Sequence, residues 1–193
     1  MPRVVDHQQR RDELVHAAWR LIVDDGLPGV TIRRLAERSG WSSGAVRHYL
    51  PTREAIIEAA AERVGAVIEQ RVRAVPVDSD PVMALTGVLE AVLPTDEAMR
   101  EASRVWLAFV GQAASDRRLA GAQGIVYRDL HALLVELLDW AQAQGRELPG
   151  GSEAVAVQLQ GLVDGLTVHV LLGQVNVEDA KRAVADAVAR SVG

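Results

Sequence analysis

Residues 40–53, Gly40-Trp41-Ser42-Ser43-Gly44-Ala45-Val46-Arg47-His48-Tyr49-Leu50-Pro51-Thr52-Arg53, gather small residues, then Arg, His and Tyr, in a chain otherwise rich in Ala, Val and Leu at helical spacing. Gly40 ends one short helix and Pro51 ends the next. Glycine takes the left-handed conformation that closes helices, and proline pushes the residue before it out of the α region. Ser42 or Ser43 caps the helix between them, which runs through about Tyr49. Upstream, Thr31 caps a helix of barely two turns, with Ile32, Leu35 and Ala36 facing inward. Two short helices joined by a glycine-containing turn meet the requirements of a helix-turn-helix. The major groove of B-DNA accepts one α-helix, so a reading helix must be slim at its leading edge. Ser42, Ser43, Gly44 and Ala45 supply that edge, Arg47, His48 and Tyr49 project further along, and Val46 and Leu50, four apart, face back into a core.

The flanking segments complete an all-α pattern. A first helix over 12–25 places Leu14, Ala18, Leu21 and Ile22 on one face, and Gly26 with Pro28 stops it. Thr52 caps a long fourth helix ending near Val75-Pro76, with Ile56, Ala60, Val64, Val67, Ile68 and Val72 along one side. After a short linker, helices are predicted from Asp80-Pro81 to about Val92 and from Pro94 through Ser115. A further one spans Arg117 to Gln144, with Gly121 and Gly124 as candidate break points. The last two run from Ser152, as cap, to Leu172 and from Val177 to Ser191. No alternation of the strand type occurs.

Composition narrows the function classes. The 193 residues contain no cysteine, which excludes disulfides, thiolate metal sites and cysteine nucleophiles. No apolar run approaches the ~20 residues that span a bilayer, and Met1 to Arg11 lacks a signal-peptide core, so a cytoplasmic location is expected. Residues 1–53 hold nine Arg and six Asp/Glu, a balance of +3; the other 140 hold twelve Lys/Arg and twenty Asp/Glu, a balance of −8, and the two add to the net −5. A basic front on an acidic body suits a polyanionic partner for the first quarter alone.

The run from Thr31 to Ile56 resembles the DNA-binding segment of TetR-type transcriptional regulators, whose pattern is T-x-R-x-[IL]-A-x-x-x-G-V-S-x-G-x-[VL]-Y-x-[HY]-F-x-[ST]-K-E-x-L; with the first helix the likeness spans roughly 50 residues. Arg47 stands where Tyr is common, Leu50 replaces Phe and Arg53 replaces Lys. Arg47 is the informative departure, because its fork can pair with guanine or clamp phosphate, so base preference does not carry over from relatives. The resemblance implies base or backbone contacts from Arg33, Ser43, Gly44, Ala45, Arg47 and His48. It implies phosphate contacts from Thr31, Trp41, Ser42, Tyr49, Thr52 and Arg53, with Trp41 equally readable as a lid on the core. The fold expected is all-α: an N-terminal three-helix helix-turn-helix DNA-binding domain over 1–53, helix four as connector over about 52–75, and a larger helical ligand-binding and dimerisation domain over 76–193.

One helix-turn-helix makes few contacts, so a two-fold dimer reading half-sites about 34–36 Å or more apart is expected. Leu159, Leu162, Val163, Leu166, Val170, Val184 and Val188 on the last two helices are the candidate dimer surface, with packing inside the monomer as the alternative. In TetR-type proteins the corresponding pair forms an intersubunit four-helix bundle. Within 80–144, Met83, Met99, Trp106, Phe109, Gln112, Tyr127, His131 and Trp140 mix bulky apolar surface with polar tips, as a ligand pocket does; ordinary core packing is the other reading. The stretches Trp106-Leu107-Ala108-Phe109 and Leu162-Val163-Asp164-Gly165-Leu166 resemble the BetI-like branch, whose members include a choline-responsive regulator; choline is not carried over. Asp164, His131 and His169 lack metal-site spacing and read better as a buried Asp with a backbone or Ser partner and core histidines. No cofactor or metal is expected. These features together point to a ligand-responsive, dimeric DNA-binding regulator, a repressor released from a palindromic operator by a small molecule. The competing class is an all-α enzyme or protein-interaction adaptor that contains a helix-turn-helix.

Overall fold

The computed structural model describes residues 7–77, 80–113 and 117–193, of which 117–126 are described by their backbone. Among them lie nine α-helices and no strand: α1 (His7–Asp25), α2 (Ile32–Ser39), α3 (Ser43–Tyr49), α4 (Arg53–Arg73), α5 (Pro81–Ala91), α6 (Glu97–Ala113), α7 (Arg117–Ala143), α8 (Gly151–Leu171) and α9 (Val177–Ser191). A 3-10 turn, Leu27–Gly29, follows α1. The chain divides into two compact units, with divisions after Gly65 in α4, after Ser103 in α6 and after Gln123 in α7.

In the first unit, α1 packs on α2 and α2 on α3. Leu14, Ala18, Leu21 and Ile22 are buried as expected, and Val15, Ala17 and Trp19 join them. Val46 and Leu50 are 0% and 2% exposed, so α3 is anchored by the pair its spacing predicted. Trp19 fixes α1 to α4 through its indole N–H, which donates to the Ala60 carbonyl at 3.0 Å. Three hydroxyls set the helix starts: Thr31 accepts from the Arg34 amide at 3.2 Å, Ser42 from Ala45 at 3.1 Å and Thr52 from Ala55 at 3.0 Å. Each such cap stabilises its helix by about 1 kcal/mol. Gly40 closes α2 at φ 73°, a left-handed conformation that a side chain would strain. Residues 1–6, which include most of the polar N-terminal run, lie outside the described residues.

In the second unit the core is one cluster of Leu, Val and Ala. It draws Leu85, Val88 and Leu89 from α5, Leu134, Leu137 and Leu138 from α7, Val155, Leu159 and Val163 from α8, and Val184 and Val188 from α9. Ile68 and Val72 from the end of α4 pack against it. Several boundaries differ from expectation. Helix α1 is already helical at His7, the first described residue and five before the predicted start, and α7 is continuous through Gly121 and Gly124. Ser115, the predicted end of α6, lies outside the described residues. Ser152 is not the cap of α8; Gly150 holds that place at φ 87°, and the buried Ser152 hydroxyl donates to Asp139 on α7. Contrary to the sequence reading, α8 is long and apolar enough by composition to cross a bilayer. It nevertheless carries Glu153 and Asp164, and its Val155, Ala156, Leu159 and Val163 are enclosed in the unit's own core.

Candidate nucleic-acid interface

The surface of the first unit is built around α3. Ser42 caps it, Val46 and Leu50 hold its inner side, and Gly44, Arg47 and His48 are exposed on the outer side. A Cβ at Gly44 would meet nothing nearer than the Ser42 hydroxyl at 3.9 Å. Gly44 lies in the first turn of α3, and among the described residues no contact requires a glycine there. Thr31, Ser42 and Thr52 use their oxygens as caps, which leaves each O–H able to donate to a phosphate oxygen. Ser43 and Ala45 are half-buried at the leading edge.

The arginines sort into fixed and open. Arg34 pairs with Asp25 at 2.7 Å, Arg38 with Asp24, and Arg11 with Glu62 at 3.1 Å; these join α2 to the end of α1, and α1 to α4. Arg33 is exposed and only loosely paired with Glu37 at 3.6 Å. Arg47 has no carboxylate within ion-pair distance among the described residues. Arg53, for which the resemblance implies a phosphate contact, is also bound within the chain. Its Nε donates to the Val30 carbonyl at 3.1 Å and its Nη2 to the Leu27 carbonyl at 2.8 Å, so two of its three nitrogens tie α4 to the 3-10 turn. This fixes the joint between helices from 23 and 26 residues away, a distance no local pattern reports.

Trp41 is a fourth departure, because the TetR-type pattern has Val at this place. The half-buried indole stands edge-on to Tyr49, with ring centroids 5.6 Å apart. Tyr49 and His48 in turn meet His7 of α1, at 5.6 and 6.0 Å. Tyr49 is therefore partly engaged in packing.

The second unit treats the other predicted residues differently. Met83 is 73% exposed, because α5 turns Ala84, Leu85, Val88 and Leu89 inward and leaves Met83 on the opposite side; it lines no interior of this chain. Met99 and Phe109 are buried, while Trp106, Gln112, Tyr127, His131 and Trp140 are half-buried, and Trp140 packs on the core cluster. Trp106, Phe109 and Gln112 fall in the first unit and the other five in the second. Within the second unit the Tyr127 hydroxyl donates to Asp164 Oδ2 at 3.0 Å, and the Gln160 amide donates to the Tyr127 carbonyl at 3.2 Å. Asp164 thus takes a phenol as partner rather than a backbone or Ser group. Burial pushes its carboxyl above the usual range, and the Tyr127 hydrogen bond opposes that rise. His131 bonds to Glu153 at 2.8 Å and His169 is exposed, so neither is a core histidine.

Leu159, Val163, Val184 and Val188 require a correction. They are 2%, 3%, 0% and 0% exposed within the single chain, where they hold α8 to α9 and to the rest of the core. A side chain already enclosed cannot offer surface to a second copy. Leu166 and Val170 also lean on this core, and Leu162 is half-buried. The open side of α8 and its C-cap carries Val157 and Leu172, 62% and 65% exposed, with Gly161 and Gly165 between them. Among the described residues, no group of three or more His, Asp or Glu stands close enough to hold a metal.

A capped reading helix on a three-helix core, with an open arginine on its outer side, defines a helix-turn-helix DNA-binding protein. Comparison with known proteins agrees over nearly the whole chain. Residues 14–60 match the bacterial regulatory proteins of the tetR family, and residues 81–193 match the C-terminal domain of the BetI-type transcriptional repressor. The chain is 31% identical over 191 residues to the HTH-type transcriptional regulator PksA of Bacillus subtilis (strain 168), covering 95% of this chain and 90% of that one. It is 31% identical over 171 residues to the HTH-type transcriptional regulator BetI of Burkholderia ambifaria, covering 86% and 84%. In structure it resembles a transcriptional regulator from Rhodococcus sp. Rha1, with TM-score 0.82, 26% identity and 94% and 95% of the two chains covered. A regulator from Saccharomonospora viridis, solved in complex with choline, shares the fold at TM-score 0.84 and 23% identity, covering 96% and 98%. The chain belongs to the TetR family of ligand-responsive, DNA-binding transcriptional regulators.

Proposed function

We propose that the protein is a cytoplasmic, homodimeric repressor that holds a two-fold operator through α3 and is released by a small organic effector. The single observation that carries the DNA half is the outer face of α3. Gly44, which no contact among the described residues requires, stands beside exposed Arg47 and His48 on a helix capped by a hydroxyl still able to donate. In this reading Arg47 and His48 reach base edges, Ser43, Gly44 and Ala45 allow close approach, and Arg33, Thr31, Ser42, Tyr49 and Thr52 meet phosphates. Arg53 acts mainly by holding the joint at which α4 begins.

Dimerisation uses the open face of α8, centred on Val157, Gly161, Gly165 and Leu172, where small residues let two helices approach closely. For the effector, the BetI-type match and the choline held by the Saccharomonospora viridis relative make a quaternary ammonium the first class to test. The Tyr127–Asp164 pair offers one partly buried carboxylate and one ring of the kind that attracts such a cation. Release follows if the effector favours an arrangement of the central helices that moves α4, which runs without interruption from Arg53 to Arg73.

The test is a gel shift on duplex from the region upstream of the protein's own gene, over a salt series and with choline titrated in. Binding that falls steeply with salt is the expected outcome. Failure to bind any duplex in a random library would favour the adaptor or enzyme class instead.

A further inference from the structure

We propose that the first turn of α1 is part of the DNA-binding surface, with Trp41 holding Arg10 there as a phosphate-binding cation. This rests on the reading of α3 given above but concerns residues outside the helix-turn-helix. Arg10 lies over the Trp41 indole, its guanidinium carbon 5.3 Å from the ring centroid. It is exposed, and no carboxylate pairs with it among the described residues. Its neighbour Arg11 instead points its charge at Glu62.

Cation–π attraction holds a guanidinium over a ring face without using its N–H donors, which stay available to a phosphate oxygen. Trp41 immediately precedes Ser42, the cap of α3, so the held cation flanks the start of the reading helix. His7, one turn before Arg10 on the same face of α1, closes against Tyr49 and His48 at the other end of α3. The rings of Trp41 and Tyr49 meet edge to face between these two points. The first turn of α1 is therefore clasped to α3 at both ends, and the position that is Val in the TetR-type pattern carries the ring that makes the clasp.

The experiment measures binding of the full chain to a random-sequence 30-bp duplex and to a selected site across a salt series. Arg10→Ala is expected to reduce the slope of log affinity against log salt by about one unit on both duplexes. Trp41→Val should give a similar loss, and the double variant no more than either single one. Trp41→Phe keeps a ring and should retain the slope, which separates a held cation from a merely structural role; thermal melts confirm that each variant is folded. A wild-type slope in Arg10→Ala, or additive losses in the double variant, would overturn the proposal. Should the wild-type chain bind neither duplex, the DNA reading itself fails, a different result from either of these.

Discussion

Helices α3 and α8 both expose glycines that no contact among the described residues demands, but the residues around them differ in kind. At Gly44 the neighbours are Arg47, His48 and capping hydroxyls; at Gly161 and Gly165 they are Val157 and Leu172. A slim surface edged with cations and donors suits the phosphate walls of a groove, and a slim surface edged with aliphatic carbon suits another helix. Glycine at an unforced position thus marks where a partner comes close, and the chemistry beside it says what the partner is.

The largest effects are expected from charging the two sides of α8. Val163→Asp places a carboxylate in the core and should cost several kcal/mol, seen as loss of the cooperative thermal transition. Val157→Asp should leave helicity and melting close to wild type while converting dimer to monomer in sedimentation. If Val157→Asp unfolded the chain and Val163→Asp did not, the assignment of the two faces would be reversed.

Filling the glycines comes next. Gly44→Leu should keep or raise thermal stability, since Leu is the better helix former, yet weaken DNA binding more than tenfold. Gly161→Leu should instead impair dimerisation with the first unit intact. Equal effects of both variants on DNA affinity and on dimer formation would erase the distinction.

Smaller still is the division between two arginines. Arg47→Ala should lose about 1–3 kcal/mol of discrimination between sites, read as a changed preference in competition assays. Arg53→Ala should weaken all duplexes alike and lower the melting temperature, because it frees the carbonyls of Val30 and Leu27. A change of sequence preference in Arg53→Ala would move it to the reading surface.

The smallest expected effect concerns Asp164. Its carboxyl is raised in the folded chain by burial, so the folded state holds the proton more tightly than the unfolded one. Stability from this group is complete below the unfolded carboxylate range and is lost as pH rises through the folded value. Asp164→Asn, which still accepts from Tyr127, should therefore melt slightly higher at neutral pH, with the difference fading in acid. A difference that grew in acid would contradict the sign.

The recognition segment was readable because its signals are local. Thr31, Ser42, Gly40 and the Val46–Leu50 pair act on residues within one or two turns, so spacing alone reports them. What escaped depends on contacts distant in sequence. The acceptors of Arg53 lie before α2, the partner of Asp164 lies 37 residues upstream on α7, and Arg10 finds Trp41 only once α1 meets α3. On α8, composition showed an apolar helix but not which stripe the chain would cover for itself. Leu159 and Val163 therefore read as candidate dimer surface, and the exposed Val157 did not stand out. Met83 failed for the same reason, since one apolar residue in an apolar helix carries no mark of its face.

The most direct measurement is selection of binding sites from a randomised duplex library with the wild-type chain, followed by the salt dependence of binding to the winning site. A two-fold symmetric sequence bound by a dimer, with affinity falling steeply as salt rises, is the expected result. Selection that enriches no sequence over the starting pool would contradict the assignment of α3 as a reading helix.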